Sequence, residues 1–277
     1  MYLSIIIVSW NAKKFLSQCL RSVISETRAF DTEIIVVDNG STDGSPEFVQ
    51  KEFSQVKLIN NYSNLGFAKA NNIGIKCSTG RYIFLINSDV IVLDGCFDRM
   101  IEYMNRHAEI GILGPRVVDK SGKTQRSCME YPTIWNIFCR TFALDRLFPK
   151  STLFGGFLMN YWLHDTIRSV DTINACFWMI RREALDEVGP LDENFFIYAE
   201  DIDMCKRFRD NKWKVVFFPE AEVIHFGGAS SANAPIRFYI EMQKANLQLW
   251  RKHHGKLAQV CFLSLTWIHH IIRTVGQ

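Results

Sequence analysis

Tyr82-Ile83-Phe84-Leu85-Ile86-Asn87-Ser88-Asp89 is an apolar run followed at once by three polar residues. Such a run reads as a strand buried on both faces, ending where the polar residues begin. A carboxylate at a strand's carboxyl end is a natural holder for a hard divalent cation. Mg²⁺ and Mn²⁺ bind through one or two carboxylates together with a substrate's own phosphates. Asn and Asp suit a plain strand-to-loop turn equally well, so the tripeptide takes its meaning from its surroundings.

Working outward, Leu3–Val8, Ile34–Val37 and Val56–Ile59 are further runs of the same kind. Between them Lys13–Ser25, Pro46–Phe53 and Phe67–Lys76 have helical apolar spacing, and Ser45-Pro46 gives an N-cap serine with proline at the first helical position. Strands alternating with helices predict right-handed βαβ units, an α/β fold with a mostly parallel, Rossmann-like sheet. Ligands of such sheets bind beyond the carboxyl ends of the strands, and Asn11, Asp38 and Asp89 all lie there.

After Gly114-Pro115 the character changes. Residues 116 to 170 are irregular and rich in aromatics, among them Tyr131, Trp135, Phe138, Phe142, Phe148, Phe154, Tyr161 and Trp162. Ile134, Ile137, Phe138, Phe142 and Leu144 predict an amphipathic helix. These aromatics either fill a small subdomain or form an acceptor platform or lipid-facing surface. Asp171–Arg181, Trp213–Pro219 and Val223–Phe226 read as strands, Glu200–Asn211 and Ile236–Arg251 as helices. Leu257–Ile272 is apolar but interrupted by Gln259, Ser264, Thr266, His269 and His270, too polar for a confident span. Flanked by Arg251, Lys252, Lys256 and Arg273, it reads as an interfacial amphipathic helix or a plain docking helix. The expected organisation is therefore a ligand-binding half (1–115), a second half of the same domain (116–254) and a helical tail (255–277).

The 277 residues are 48% hydrophobic and 22% charged, enough to bury a real core, and a net charge of +3 gives no footprint for nucleic acid. Eight scattered cysteines show neither Cys-x-x-Cys nor finger spacing and read as reduced core residues. Met1-Tyr2-Leu3-Ser4 enters a strand directly, so no secretory signal is expected and the expected location is cytoplasmic.

Asp38-Asn39-Gly40-Ser41-Thr42-Asp43-Gly44-Ser45 runs from a strand through a polar turn into a helix, and Asp38 can accept from the imide N–H of a uracil or thymine ring. An ordinary βα turn fits the same residues. Neither Gly-x-x-x-x-Gly-Lys-Ser/Thr nor Gly-x-Gly-x-x-Gly is present, which removes the main support for ATPase and dinucleotide readings. Asn64-Leu65-Gly66-Phe67-Ala68-Lys69 opens another helix. Gly66 permits close backbone approach there, the helix N-terminus favours an anion, and Lys69 either screens a diphosphate or is merely solvated.

Taken in order, Val8-Ser9-Trp10-Asn11, Val37–Gly44, Asn64–Ala68, Asn87-Ser88-Asp89 and Glu200-Asp201-Ile202-Asp203 resemble the motif series of family 2 glycosyltransferases with the GT-A fold. The likeness spans residues 3 to about 228 and is strongest to the rhamnosyltransferase-type bacterial branch. It implies that Asp38 binds the nucleotide base with Asn11 nearby, and that Asn64, Gly66, Lys69 and Ser88 belong to the nucleotide site. Asp89 stands at the metal position of the family's Asp-x-Asp motif. Asn87 replaces that motif's first acid, as in the rhamnosyltransferase-like branch, and removes one charge from the metal site. His225, after Glu222-Val223-Ile224, is implied as the second ligand of a divalent cation, Mn²⁺ or Mg²⁺. Gly227-Gly228-Ala229-Ser230-Ser231 looks like a flap over the diphosphate.

Asp201 is by similarity the catalytic base of an inverting transferase. Acids in a first helical turn also suit the helix dipole. Glu200 and Asp203 hold the acceptor or the helix, and Asp171, Asn174 and Trp178 line the acceptor pocket, unless Trp178 is core. The resemblance implies transfer of a sugar, foremost L-rhamnose from dTDP-L-rhamnose, onto a polysaccharide or lipid-linked glycan. A UDP-hexose or UDP-galactofuranose is the alternative donor. Peripheral attachment to the inner membrane face and a homo-oligomer are further expectations. A nucleotidyltransferase would carry a Gly-rich basic loop after its first strand, where Ser9–Lys14 has lysines and no glycine. A non-catalytic glycan-binding protein is the rival of another class, favoured by Asn87 and opposed by Asp201.

Overall fold

The computed structural model describes residues 1–228 and 234–275. Its first half contains β1 (Leu3–Ser9), α1 (Lys13–Glu26), β2 (Thr32–Asp38), α2 (Ser45–Glu52), β3 (Lys57–Asn60), α3 (Phe67–Lys76), β4 (Tyr82–Asn87), β5 (Val90–Val92), α4 (Cys96–Arg106) and β6 (Ile110–Val118). An irregular stretch follows with β7 (Cys128–Met129), α5 (Ile134–Thr141), α6 (Leu144–Leu147) and β8 (Arg168–Ser169). The remainder holds β9 (Thr172–Ile173), β10 (Phe177–Arg181), α7 (Arg182–Val188), α8 (Glu200–Asp210), β11 (Lys214–His225), α9 (Pro235–His253) and α10 (Lys256–Val275).

Among the described residues one sheet runs in the order β3-β2-β1-β4-β10-β6-β11-β5, with β8 added beside β11. The four strands from β3 to β4 are parallel, as the alternating pattern predicts. Beyond them the sheet is mixed, because β10 enters antiparallel between β4 and β6. β6 runs through residue 115, so the two expected halves share one sheet.

The apolar strands are buried on both faces. Leu3, Ile5 and Ile7 of β1 join Leu16, Leu20 and Val23 of α1 and Phe97, Met100 and Met104 of α4. On the other face Ile6, Ile35, Val37, Ile83 and Leu85 join Met204, Cys205 and Phe208 of α8. Period-two alternation places successive side chains in these two cores, which is why the strand runs are continuously apolar.

Two expected strands differ in detail. The run Asp171–Arg181 breaks at residues 174–176, so β9 pairs with β7 in a small second sheet while β10 joins the main one. Trp213–Pro219 and Val223–Phe226 are a single strand, β11, whose register with β6 is irregular between Phe218 and Glu222. The predicted helix around residue 137 is α5, started by Thr133. The Thr133 hydroxyl accepts from the Asn136 amide at 3.2 Å, one arm of a capping box. Its aromatics Trp135 and Phe138 are exposed, as are Phe142, Leu147 and Phe148 beyond it. The tail is α10, which lies against α5 and α9 and leaves Leu257, Val260, Leu263, Trp267, Ile271 and Ile272 outward. Among the described residues no helix is long and apolar enough to cross a membrane.

Candidate active site

The carboxyl ends of β1, β2 and β4 converge on loops tied together by short polar side chains. Asn11 has a left-handed backbone (φ 49°), and its side-chain oxygen accepts from the Thr42 amide at 2.7 Å while its own N–H donates to Ser41 Oγ at 2.9 Å. Asp38 is buried, and its Oδ1 accepts from the Gly40 and Ser41 amides at 3.1 and 2.8 Å. Its Oδ2 is buried with no hydrogen-bond partner among the described residues, an acceptor oriented by its neighbours and left over. Asp43 accepts from the Lys13 amide at 2.9 Å, fastening the start of α1 to the same loop.

Asn39 carries more of this assembly than its place in the motif suggests. Its side-chain nitrogen donates to Asn64 Oδ1 at 3.0 Å and to the Gly66 carbonyl at 3.2 Å. Its oxygen accepts from the Leu65 amide at 3.0 Å. The Gly66 loop is clamped on its other side too, where the Phe67 amide donates to the Phe196 carbonyl at 2.6 Å. Gly66 has φ 89°, and a Cβ there would collide with that same carbonyl oxygen, so both conformation and space require glycine. The contact joins the loop ahead of α3 to the one ahead of α8.

That second loop ends in two consecutive left-handed residues, Tyr198 (φ 71°) and Ala199 (φ 62°), just before Glu200. Left-handed backbone at non-glycine residues is strained and persists only where the surroundings enforce it. Here the turn delivers Glu200 and Asp201 into the core-facing start of α8, both nearly inaccessible. Burial and then the charge of Asp201 push the Glu200 carboxyl well above its ordinary range, and Glu200 Oε2 has no hydrogen-bond partner among the described residues. Burial also pushes Asp201 up, to about 6, against the stabilising backbone groups of Ile202 and Ala175. The Ile202 amide donates to Asp201 Oδ1 at 2.8 Å. Two adjacent buried carboxyls will not both ionise readily, so the pair retains a proton near neutrality.

Asp89 and His225 meet because β5 pairs with the end of β11, with His225 opposite Val90. His225 Nε2 lies 3.3 Å from Asp89 Oδ1, and the Phe226 amide donates to the Asp89 carbonyl at 3.1 Å. Gln125 donates to the His225 carbonyl at 2.7 Å and holds that end of the strand. One carboxylate beside one imidazole suits a divalent cation whose remaining ligands come from a diphosphate and water. No set of three or more His, Cys, Asp or Glu positioned for a metal occurs among the described residues.

A cavity of about 700 Å³ connects these parts. Asn39, Asn64, Gly66, Asn87, Ser88, Asp89 and His225 line it together with Asn174, Glu200 and Asp201. The structure thus gathers Asp89, His225, Ser88, Asn64, Gly66, Glu200 and Asp201 around one space.

Asn11 and Asp38 are not part of that lining, and four further expected side chains stand elsewhere. Trp178 is fully buried, its indole N–H donating to the Ile173 carbonyl at 3.1 Å, so it is core and no acceptor platform. Asp203 is sealed off on the far side of α8, 2.7 Å from both Lys252 Nζ and His253 Nε2 and 2.9 Å from Arg207 Nε, where it ties α8 to α9. Asp171 is engaged by Arg209 at 2.7 Å and by the Tyr131 amide at 2.9 Å. Lys69 projects from the exposed side of α3 and does not line the cavity. In the expected flap Gly227 and Gly228 have φ 70° and 75°, and Ala229–Ser231 lie outside the described residues.

Sequence reasoning missed three contributions. Asn39 had a signal, its place between Asp38 and Gly40. The Tyr198-Ala199 turn had none, since neither residue favours positive φ. Gln243, Asn246 and His269 reach the cavity from α9 and α10, and only the packing of those helices brings them there.

The sequence profile of the family described as "Glycosyl transferase family 2" matches residues 4–189. N-acetylglucosaminyl-diphospho-decaprenol L-rhamnosyltransferase of Mycobacterium tuberculosis (strain ATCC 25618 / H37Rv) is 26% identical over 245 residues, covering 84% of this chain and 78% of that protein. Among solved structures, the mannosyltransferase PcManGT of Pyrobaculum calidifontis, in complex with GDP-Man and Mn²⁺, superposes with a TM-score of 0.61 at 16% identity, over 96% of this chain and 68% of that one. GalNAc-T7 with UDP, GalNAc and Mn²⁺ gives a TM-score of 0.60 at 18% identity, over 81% of this chain and 44% of that one. Both structures have the GT-A fold, which the mixed sheet and its flanking helices share. With the profile covering strands β1 to β10, the chain belongs to glycosyl transferase family 2 and is a glycosyltransferase.

Proposed function

We propose that this glycosyltransferase moves a sugar from a nucleotide-diphospho-sugar to a hydroxyl of a glycan or lipid-linked acceptor with inversion of the anomeric centre. The observation carrying this reading is the buried Asp201, its carboxyl raised to about 6, facing the same cavity as the Asp89–His225 pair. A general base works best when its pKa lies near the working pH. Asp201 takes the acceptor hydroxyl's proton as that oxygen bonds to the anomeric carbon, and the bond from that carbon to the diphosphate oxygen breaks. Glu200 keeps its proton and so leaves the negative charge of the pair on Asp201.

On the donor side Asp38 Oδ2 accepts from the base imide, Asn11 and Asn39 hold the loops, and Asn64, Gly66 and Ser88 flank the nucleotide. Asp89 and His225 hold a divalent cation, Mn²⁺ or Mg²⁺, which when bound offsets charge on the leaving diphosphate. Mn²⁺ with GDP-Man in one solved neighbour of the fold, and with UDP and GalNAc in another, supports this assignment. The name of the relative from Mycobacterium tuberculosis supports L-rhamnose as the sugar, with dTDP-L-rhamnose as its proposed donor, and a lipid-linked diphosphate sugar as acceptor. Residues 1–115 then form the donor half, 116–254 the acceptor half, and α10 the contact with the inner membrane face.

Asp201→Asn is expected to lower turnover about 10²- to 10⁴-fold in a donor screen read by nucleotide release. Near-normal turnover would refute the base assignment. In the same screen exhaustive EDTA is expected to abolish transfer and Mn²⁺ to restore it; activity that survives EDTA removes Asp89 and His225 as ligands.

A further inference from the structure

The cavity does not end at Asp201. Helices α5 and α10 form part of the same wall, and from them Arg140, His269, His270 and Arg273 line it. The two helices are joined where Thr141 Oγ1 donates to the Leu265 carbonyl at 3.4 Å. Arg140 sits with its guanidinium 4.8 Å from the centre of the Phe157 ring, which limits its freedom to swing away. Three of the four come from one helical stretch, so α10 sets their spacing.

This part of the cavity has an excess of positive charge. The carboxylate that acts on Arg140 is Asp145, whose Oδ1 is buried without a hydrogen-bond partner among the described residues. Burial first, and then the neighbouring Arg273, His270, Arg140 and Arg146, push the His269 pKa down, so the positive charge here is that of the arginines. Cations collected in a concave, partly apolar site concentrate field there and favour an anion. The groups proposed for the donor diphosphate, Asp89, His225 and Ser88, stand at β4, β5 and β11, whose main packing partners do not include α5 or α10, so we assign the anion at these helices to a second molecule.

What surrounds the cluster indicates the rest of that molecule. Outside the mouth, Phe138 and Phe142 of the α5 region and Trp267 and Ile271 of α10 are exposed apolar side chains on the same pair of helices. A ligand with a phosphate at the mouth would have its sugar toward Asp201 and its hydrocarbon along this apolar surface. The geometry points to Arg140, His269, His270 and Arg273 as an acceptor-phosphate subsite that reads the diphosphate of an amphiphilic, lipid-linked acceptor. This rests on the proposed lipid-linked acceptor and assigns its recognition to named residues. Arginine forks match phosphate oxygens in pairs, so Arg140 and Arg273 are expected to dominate.

The test compares two synthetic acceptors with one sugar, an alkyl-diphospho-N-acetylglucosamine and the matching alkyl N-acetylglucosaminide lacking phosphate. Wild type is expected to prefer the diphosphate acceptor in kcat/KM, and R140Q/R273Q to lose about tenfold or more of that preference. R140K/R273K, which keeps the charge without the fork, is expected to recover part of it. Because the readout is a ratio within each variant, partial loss of folded enzyme cancels. A preference that persists in R140Q/R273Q overturns the subsite while leaving the acceptor class intact. Wild type that transfers to neither acceptor, or prefers neither, overturns the acceptor class and the subsite with it. Binding to phosphatidylglycerol and to phosphatidylcholine vesicles is measured in parallel. If the substitutions lower phosphatidylglycerol binding in proportion to the lost preference, the cluster reads bulk headgroups and the subsite is refuted. Unchanged vesicle binding with lost preference supports it.

Discussion

The two sides of the cavity are built from different materials. On the strand side, loops after parallel strands are held by Asn11, Asp38, Asn39 and Asp43, whose side chains satisfy backbone amides two to about thirty positions away. On the helical side the walls are helices set in place by aromatic stacking and buried charge. Trp250 stacks on His254 at 3.9 Å and on Phe262 at 4.7 Å, and Asp203 binds Lys252 and His253 across to α9. The difference teaches that one part of the wall is fixed by local turns and their side-chain hydrogen bonds. The other part positions its residues through long-range packing that a sequence can vary without changing the sheet.

The largest effect expected from breaking this contrast is at Asp203. Burial alone would raise its carboxyl, but His253, Lys252 and Arg207 outweigh that and hold it at about 2. Asp203→Ala leaves Lys252, Arg207 and His253 facing an empty position and is expected to cost about 3–5 kcal/mol in urea unfolding. A loss below about 1 kcal/mol would show that α9 is held by its aromatics alone. Next comes Asn39→Ala, which strands the Leu65 amide and frees the Gly66 loop, at about 1–3 kcal/mol. Its donor KM is expected to rise while its acceptor KM stays level, and equal rises in both would end the distinction between the two sides.

The smallest effect is a slope with pH, of opposite sign in the two acids of α8. Asp203 has a depressed pKa, so its stabilisation is present above the ordinary value near 3.8 and is lost as pH falls toward about 2. Asp201 is raised to about 6, so the folded state binds more protons than the unfolded one between about 3.8 and 6, and stability falls as pH rises through that window. Activity should move the other way, rising with pH through about 6 as Asp201 ionises. Asp201→Asn should flatten the stability slope in that window, and an unchanged slope would place the titration elsewhere.

Much of the donor side was legible in the order of residues. Runs such as Tyr82–Ile86 fix strands buried on both faces, and Asp38 and Asp89 fall at strand ends where open sheets bind ligands. The acceptor side was legible only as composition. Its aromatics stood out, yet nothing in a linear reading separates Trp178, sealed in the core, from Trp267 on the surface, since both lie in apolar runs. Glu200, Asp201 and Asp203 look alike in sequence as three acids within one turn. Two steps of about 100° put Asp201 and Asp203 on nearly opposite sides of the helix, the first toward the cavity and the second toward α9.

By itself, then, the sequence determined the α/β alternation and the family, because these depend on periodicity and on turns spanning a few residues. Only the tertiary structure decided that His225 meets Asp89, that Trp178 is core, that Asp203 is a strut, and that α5 and α10 close the cavity with positive charge. Each of those outcomes joins residues far apart in the chain. Each is set by strand register or helix packing, which local spacing does not encode.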